Sequence, residues 1–225
     1  MLNLAGAYEF TYYPDQAPIP AGRLRFLAKA YDLMGYDALL VSSHERALMA
    51  KAGVKPRPWW RGGGKLDTHI FKLGKAPHQV DVGVVYLPHQ PDNQQILPPQ
   101  AAREVAAAVK TLRASCDLVL GLSDWGYNRE QALLASGEDM PDLLLGSGPG
   151  IGLTGQRMAG GKTMWIRSYS QGKGVERIEI LALPERKSTF AWTEGQNIRM
   201  NLDGLTDQYA DDRRVHGLLR TMGTD

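Results

Sequence analysis

Four short segments hold the side chains able to do chemistry. Ser42-Ser43-His44-Glu45 closes the apolar run Asp37–Val41. An imidazole beside a carboxylate could stabilise a phosphoryl oxygen or protonate a leaving group. The same residues also make a natural helix start, with Ser43 as cap and Glu45 in the first turn. The two roles are compatible, because a helix beginning at a strand end is where α/β proteins place ligands. Asp124-Trp125-Gly126 ends the run Asp117–Ser123, and Asp124 is either an oxygen ligand for a metal or a turn residue. Gly146-Ser147-Gly148-Pro149-Gly150-Ile151-Gly152 could cradle phosphate, but Ile151 and Leu153 break the dinucleotide spacing G-x-G-x-x-G. Trp59-Trp60-Arg61-Gly62-Gly63-Gly64-Lys65 could stack on a base and hold a phosphate, or its tryptophans could fold back onto the domain. Trp125 would share that surface, giving an aromatic-lined groove.

Other candidates carry less. Gly155–Thr163 misses the P-loop spacing by one residue, and the segment after it reads as a strand, so a β-hairpin loop is the simpler account. His69, His78, His89 and His216 have no ligand-like spacing and read as ordinary surface or core histidines. Cys116 is the single cysteine; it excludes an internal disulfide and reads as a small buried side chain.

The elements that must position these residues alternate at first. Helices are expected over Arg23–Gly35, His44–Ala52, Pro98–Ser115 and Asn128–Ala135. Strands are expected over Asp37–Ser42, Asp67–Leu73, Gln79–Leu87, Asp117–Leu122 and Asp142–Leu145. Leu2–Phe10 is a strand remnant or a lead-in loop; Tyr12–Ala21 and Lys55–Lys65 are loops. The second half is strand-rich, with Thr163–Tyr169, Gly174–Leu183, Ser188–Thr193 and Gln196–Leu202, before a final helix over Asp211–Met222. An alternating half followed by a strand-rich half suits two packed sheets with helices outside, a four-layer αββα sandwich. The expected division is one domain over residues 1–203 and a tail over 204–225 whose short helix packs on it.

Several segments in fixed order carry a resemblance: YDLMGYDALLVSSHE (Tyr31–Glu45), KTLRASCDLVLGLSDWGY (Lys110–Tyr127), PDLLLGSGPG (Pro141–Gly150), GGKTMWIRSYSQGKGVERIEI (Gly160–Ile180) and EGQNIRMNLDGLTDQYADD (Glu194–Asp212). Together they resemble the 5′-nucleotidase branch of the calcineurin-like metallophosphoesterases. The resemblance implies the metallophosphoesterase αββα fold, here lacking the N-terminal strand that carries the family's Asp-x-His motif. It also implies two divalent metals (Mn, Zn or Mg) that activate water and polarise phosphoryl oxygens. The family's ligand positions are mostly changed. The bridging aspartate falls near Gly6-Ala7, Ser43 replaces the ligand asparagine, and Ala47 replaces the aspartate that orients the histidine. Asp124, Gly148 and Gly150 replace later histidines, while His44 and Glu45 match.

The resemblance with these losses implies a divergent, catalytically impaired protein, a pseudoenzyme that keeps a cleft and binds a phosphate-bearing small molecule or one metal. If activity survives, it is metal-dependent hydrolysis of phosphate monoesters such as nucleotides. His44 is then the catalytic acid or orienting group. Asp124, Glu45 and Ser43 are the candidate metal ligands, and Trp125, Gly148, Gly150, Trp60 and Arg61 the candidate substrate contacts. The alternative is a non-catalytic binding or scaffold protein that uses the same cleft and no cofactor.

The bulk properties set outer limits. The 225 residues are 43% hydrophobic and 22% charged, ordinary for a globular domain. A net charge of +2 without a basic run argues against nucleic acid. No apolar run approaches a bilayer span, and the N-terminus has no signal-peptide pattern. The resemblance alone points to a periplasmic or other extracytoplasmic location. A protein partner and the oligomeric state stay open.

Overall fold

The apolar runs of the first half become the centre of a six-stranded sheet. The computed structural model describes residues 1–11, 19–62, 64–90, 96–168, 173–185 and 189–222. The sheet is built from β4 (Asp67–Leu73), β5 (Val80–Tyr86), β6 (Leu118–Ser123), β7 (Leu143–Gly146), β8 (Leu153–Met158) and β9 (Thr163–Arg167), in the order β4-β5-β6-β7-β9-β8. Strands β5, β6, β7 and β9 are parallel, with Val84 opposite Leu120 and Leu120 opposite Leu143. The outer strands β4 and β8 are antiparallel to their neighbours. The parallel strands are covered on both faces, which explains the near-continuous apolar runs of β6 and β7.

A second layer holds two smaller sheets. β1 (Leu4–Ala5), β2 (Ala38–Leu40) and β3 (Trp60–Arg61) are parallel; β10 (Gly174–Ile180) and β11 (Ile198–Gly204) form an antiparallel pair. Between the layers lies a core that includes Leu40, Val84, Tyr86, Leu120, Leu122, Ile166, Trp192 and Ile198. Helices α3 (Pro99–Arg113) and α4 (Tyr127–Leu134) cover the far face of the large sheet. The α3 stripe is the expected one, with Ala102, Val105, Val109 and Leu112 all buried. Helices α1 (Ala21–Met34) and α2 (Ser43–Lys51) cover the far face of β1–β3. The architecture is the expected αββα sandwich. The final helix α5 (Arg213–Met222) lies against α1.

Three local expectations are corrected. Trp60–Arg61 is a strand, not loop: it pairs in parallel with Leu39 and Leu40, because Trp60 is buried against Phe10 and brings its backbone to the edge of β2. Residues 189–193 are not a strand. Trp192 is fully buried, but its N–H bonds Gly161 O and its indole Nε1 bonds Asp142 O, so the segment is held by loop and strand ends instead of by a ladder. The cap of α2 is Ser42, not Ser43: the Ser42 hydroxyl accepts from Glu45 N–H, and Glu45 accepts from Ser42 N–H, a reciprocal capping box. The expected hairpin around Gly155–Thr163 is present as β8, a tight turn and β9. Most of the loop Tyr12–Ala21, Gly63 of the tryptophan loop, Tyr169 and Ser188 lie outside the described residues.

Candidate functional site

The carboxyl ends of the parallel strands of both layers meet at one edge, the usual position for a ligand site in α/β proteins. Ser147, just after β7, ties the edge together. Its hydroxyl donates to Ser123 O at 2.6 Å and accepts from Ala7 N–H at 3.1 Å, joining the ends of β6, β7 and β1. Phe10 N–H donates to Glu45 Oε1 at 3.0 Å, joining the chain after β1 to the start of α2.

Glu45, a candidate metal ligand, is 1% exposed and turned inward. Its oxygens accept from Phe10 N–H, Ser42 N–H and the Ser42 hydroxyl. Burial pushes its carboxyl up to about 7 against the pull of those bonds. Glu45 therefore acts here as a brace between β1 and α2. Ser43 and His44 are exposed on the first turn of α2. The Ser43 hydroxyl lies beside Gly64 of the tryptophan loop, and Arg46 donates to the carbonyls of Trp60 and Gly62, strapping that loop to α2.

Asp124 ends β6 and is 5% exposed. Its Oδ2 lies 2.8 Å from Nδ1 of His89, just beyond β5, and its Oδ1 is buried with no hydrogen-bond partner among the described residues. His89 is the site residue that sequence spacing missed. The pair forms across neighbouring parallel strands, 35 positions apart, and no motif records it. The adjacent Trp125 is 3% exposed, and its indole donates to Pro88 O at 2.6 Å. It anchors the β5 and β6 ends within the core, where a surface aromatic was expected. Trp60 is likewise buried, packed on Phe10 and Trp59. The Arg61 guanidinium lies 3.2 Å from His69 Nδ1; burial and that cation hold His69 below its usual range.

The loop after β7 is shaped around its glycines. Gly148 has φ +77°, and a Cβ there would sit 2.7 Å from Asp124 O. Gly150 has φ +120°, and a Cβ there would sit 2.4 Å from Tyr127 Cβ. Neither position has room for an imidazole without moving backbone. From beneath, Arg167 of β9 donates to the carbonyls of Ser147, Gly148, Pro149 and Ile151, and pairs with the fully buried Glu130.

The metals implied by the fold can be tested against this donor set. At the strand ends stand Ala7, Ser43, Gly148 and Gly150, which offer no strong ligand, and Glu45, which is committed to backbone N–H groups. Among the described residues no group of three His, Cys, Asp or Glu side chains is placed to hold a metal ion. The structure brings together Asp124, His89 and the Gly148 backbone, and separately Ser43, His44 and the tryptophan loop. The residues present do not fit a dinuclear centre.

Comparison with known proteins agrees on the fold. The chain has the calcineurin-like phosphoesterase fold. One similar solved structure is the calcineurin-like phosphoesterase YfkN from Bacillus subtilis, with TM-score 0.65 and 11% identity over 99% of this chain and 83% of that one. Another is a Staphylococcus aureus protein named as a 5′-nucleotidase and solved with α-ketoglutarate, with TM-score 0.59 and 10% identity over 99% of this chain. The chain spans 49% of that second protein. No protein-family model and no curated protein matches the sequence. No helix among the described residues is long and apolar enough to cross a membrane.

Proposed function

We propose that this chain is a divergent phosphoesterase-fold protein that has lost two-metal hydrolysis and uses its strand-end surface to bind a small phosphate-bearing molecule. One observation carries the reading: the strand ends hold Ala7, Ser43, Asp124, Gly148 and Gly150 where the resemblance expects metal ligands, and the loop backbone is built around the two glycines. What remains at the edge suits anion binding. His44 is exposed on the first turn of α2, and Arg61 stands at the end of β3. That a neighbour in fold was solved with α-ketoglutarate supports a small anionic ligand. An extracytoplasmic location belongs to the same reading and rests on the resemblance; cell fractionation would test it.

The test is p-nitrophenyl phosphate hydrolysis with and without Mn²⁺ or Zn²⁺, beside calorimetric titration of inorganic phosphate and of AMP. The expected result is no metal-stimulated turnover, and anion binding that weakens at least tenfold in Arg61→Ala. Metal-stimulated turnover that disappears in His44→Ala would overturn the proposal and restore a hydrolase.

A further inference from the structure

Beneath the loops, between the two layers, a cavity of about 170 Å³ opens where β1 and β10 stand apart. Among the described residues both are edge strands: β1 pairs only with β2, and β10 only with β11. The inner strands of the large sheet supply an apolar floor of Leu122, Leu145 and Ile166, and β10 adds Ile178. Two carboxylates line this space. Glu9 stands on the β1 side, where it accepts a hydrogen bond from Tyr31. Glu176 stands on β10, on the same face as Gly174 and Ile178.

Glu176 is the informative group. Both carboxylate oxygens are buried, and among the described residues neither has a hydrogen-bond partner. The cation nearest in sequence, Arg177, pairs instead with Asp203. Burial, with Asp203 adding to it, holds the Glu176 carboxyl above its usual range. A buried carboxylate without a partner is costly, and a charged partner removes much of that cost. A hydrated divalent ion does not suit the space, because it wants about six oxygen donors and, of the lining side chains, Glu9, Glu176, Tyr36 and Ser168 alone carry oxygen. An occupant with a cationic head and an apolar body satisfies both features.

We propose that this inter-sheet cavity is a binding site for a small aliphatic ammonium compound, its ammonium on Glu176 and its alkyl part on Leu122, Leu145, Ile166 and Ile178. The site borders the strand-end edge at Gly6 and Gly146 but uses neither His44 nor Arg61, so it does not depend on the anion binding proposed above.

The experiment uses the whole chain and three probes: n-butylammonium, the neutral 1-butanol, and Mg²⁺. Binding is followed by calorimetry and by side-chain methyl NMR shifts of the cavity residues. Saturable binding of n-butylammonium is expected, with shifts at Leu122, Leu145, Ile166 and Ile178. 1-Butanol should bind at least tenfold more weakly, and Mg²⁺ should not compete. Glu176→Gln, shown folded by circular dichroism, should lose at least tenfold in n-butylammonium affinity while phosphate binding stays unchanged. Glu9→Gln is the second variant, with a smaller loss. The proposal is overturned by equal binding of 1-butanol, by displacement with Mg²⁺, by unchanged affinity in folded Glu176→Gln, or by no saturable binding to the wild-type chain. The wild-type probe comparison decides the matter even where a variant does not fold.

Discussion

Glu45 makes stability depend on pH in a direction opposite to that of most carboxylates. Its carboxyl stands at about 7 in the folded chain against 4.5 for the ordinary group. A raised folded value means that the folded state holds the proton more tightly than the unfolded chain. The resulting stabilisation is complete below about pH 4.5 and is lost as pH rises through about 7. At about 1.4 kcal/mol per pH unit of difference, the full span is about 3 kcal/mol, of which about 2.5 falls between pH 5 and pH 8. Because Glu45 is 1% exposed, solvent screening takes little from this figure. Glu45→Gln has no titrating proton, so the assay is urea unfolding of both proteins at pH 5, 6, 7 and 8. The wild type should lose about 2.5 kcal/mol relative to the variant across that range. A gap that stays constant to within about 0.5 kcal/mol would refute the reasoning, since a shift this large cannot leave the gap level. It would show that the N–H groups of Ser42 and Phe10 outweigh burial and keep the carboxylate ionised throughout.

Further outcomes follow from the same strand-end edge. Gly148→His and Gly150→His should each lower stability, by roughly 1–3 kcal/mol for the backbone strain alone. Neither should gain Mn²⁺ or Zn²⁺ binding, which thermal melts and metal titration would check. Arg167→Met strands the buried Glu130 carboxylate and should cost about 3–5 kcal/mol in urea unfolding. Arg167→Met with Glu130→Gln should recover part of that loss. Asp124→Ala removes the partner of His89 Nδ1 and should cost about 1–3 kcal/mol. Its NMR signature would be a changed tautomer or ring signal for His89 and for no other histidine.

The layers were legible because their cause is local. The α3 stripe repeats every three to four residues and the apolar runs of β6 and β7 are nearly continuous, so each element declares which faces it buries. The C-terminal end of α1 could be read for the same reason: Gly35 takes the left-handed conformation that stops the helix. The β3 strand was hidden because two residues carry no period; only the burial of Trp60 against Phe10 makes them a strand. The Ser42 cap and the Ser43 alternative differ by one position in a run of two serines, and the reciprocal bonds with Glu45 decide between them. For the site, the resemblance singled out positions along the chain but not what their side chains do in the fold. Trp125 reads as a surface aromatic beside a turn, and it is instead the indole that holds Pro88. The His89–Asp124 pair depends on the register of β5 against β6, which no spacing along the chain encodes.

Arg167 has a consequence for what this protein can become. One side chain, 2% exposed and rooted in a central strand, collects four carbonyl oxygens of the turn above it. The path of that turn is thus set largely from the interior, with the N–H groups of Gly126 and Tyr127 holding Ser147 O and Pro149 O beside it. The exposed Ile151 at the far side of the turn can be exchanged for other recognition chemistry while Ser147, Gly148 and Gly150 stay fixed, which makes that one position a natural graft point for new specificity.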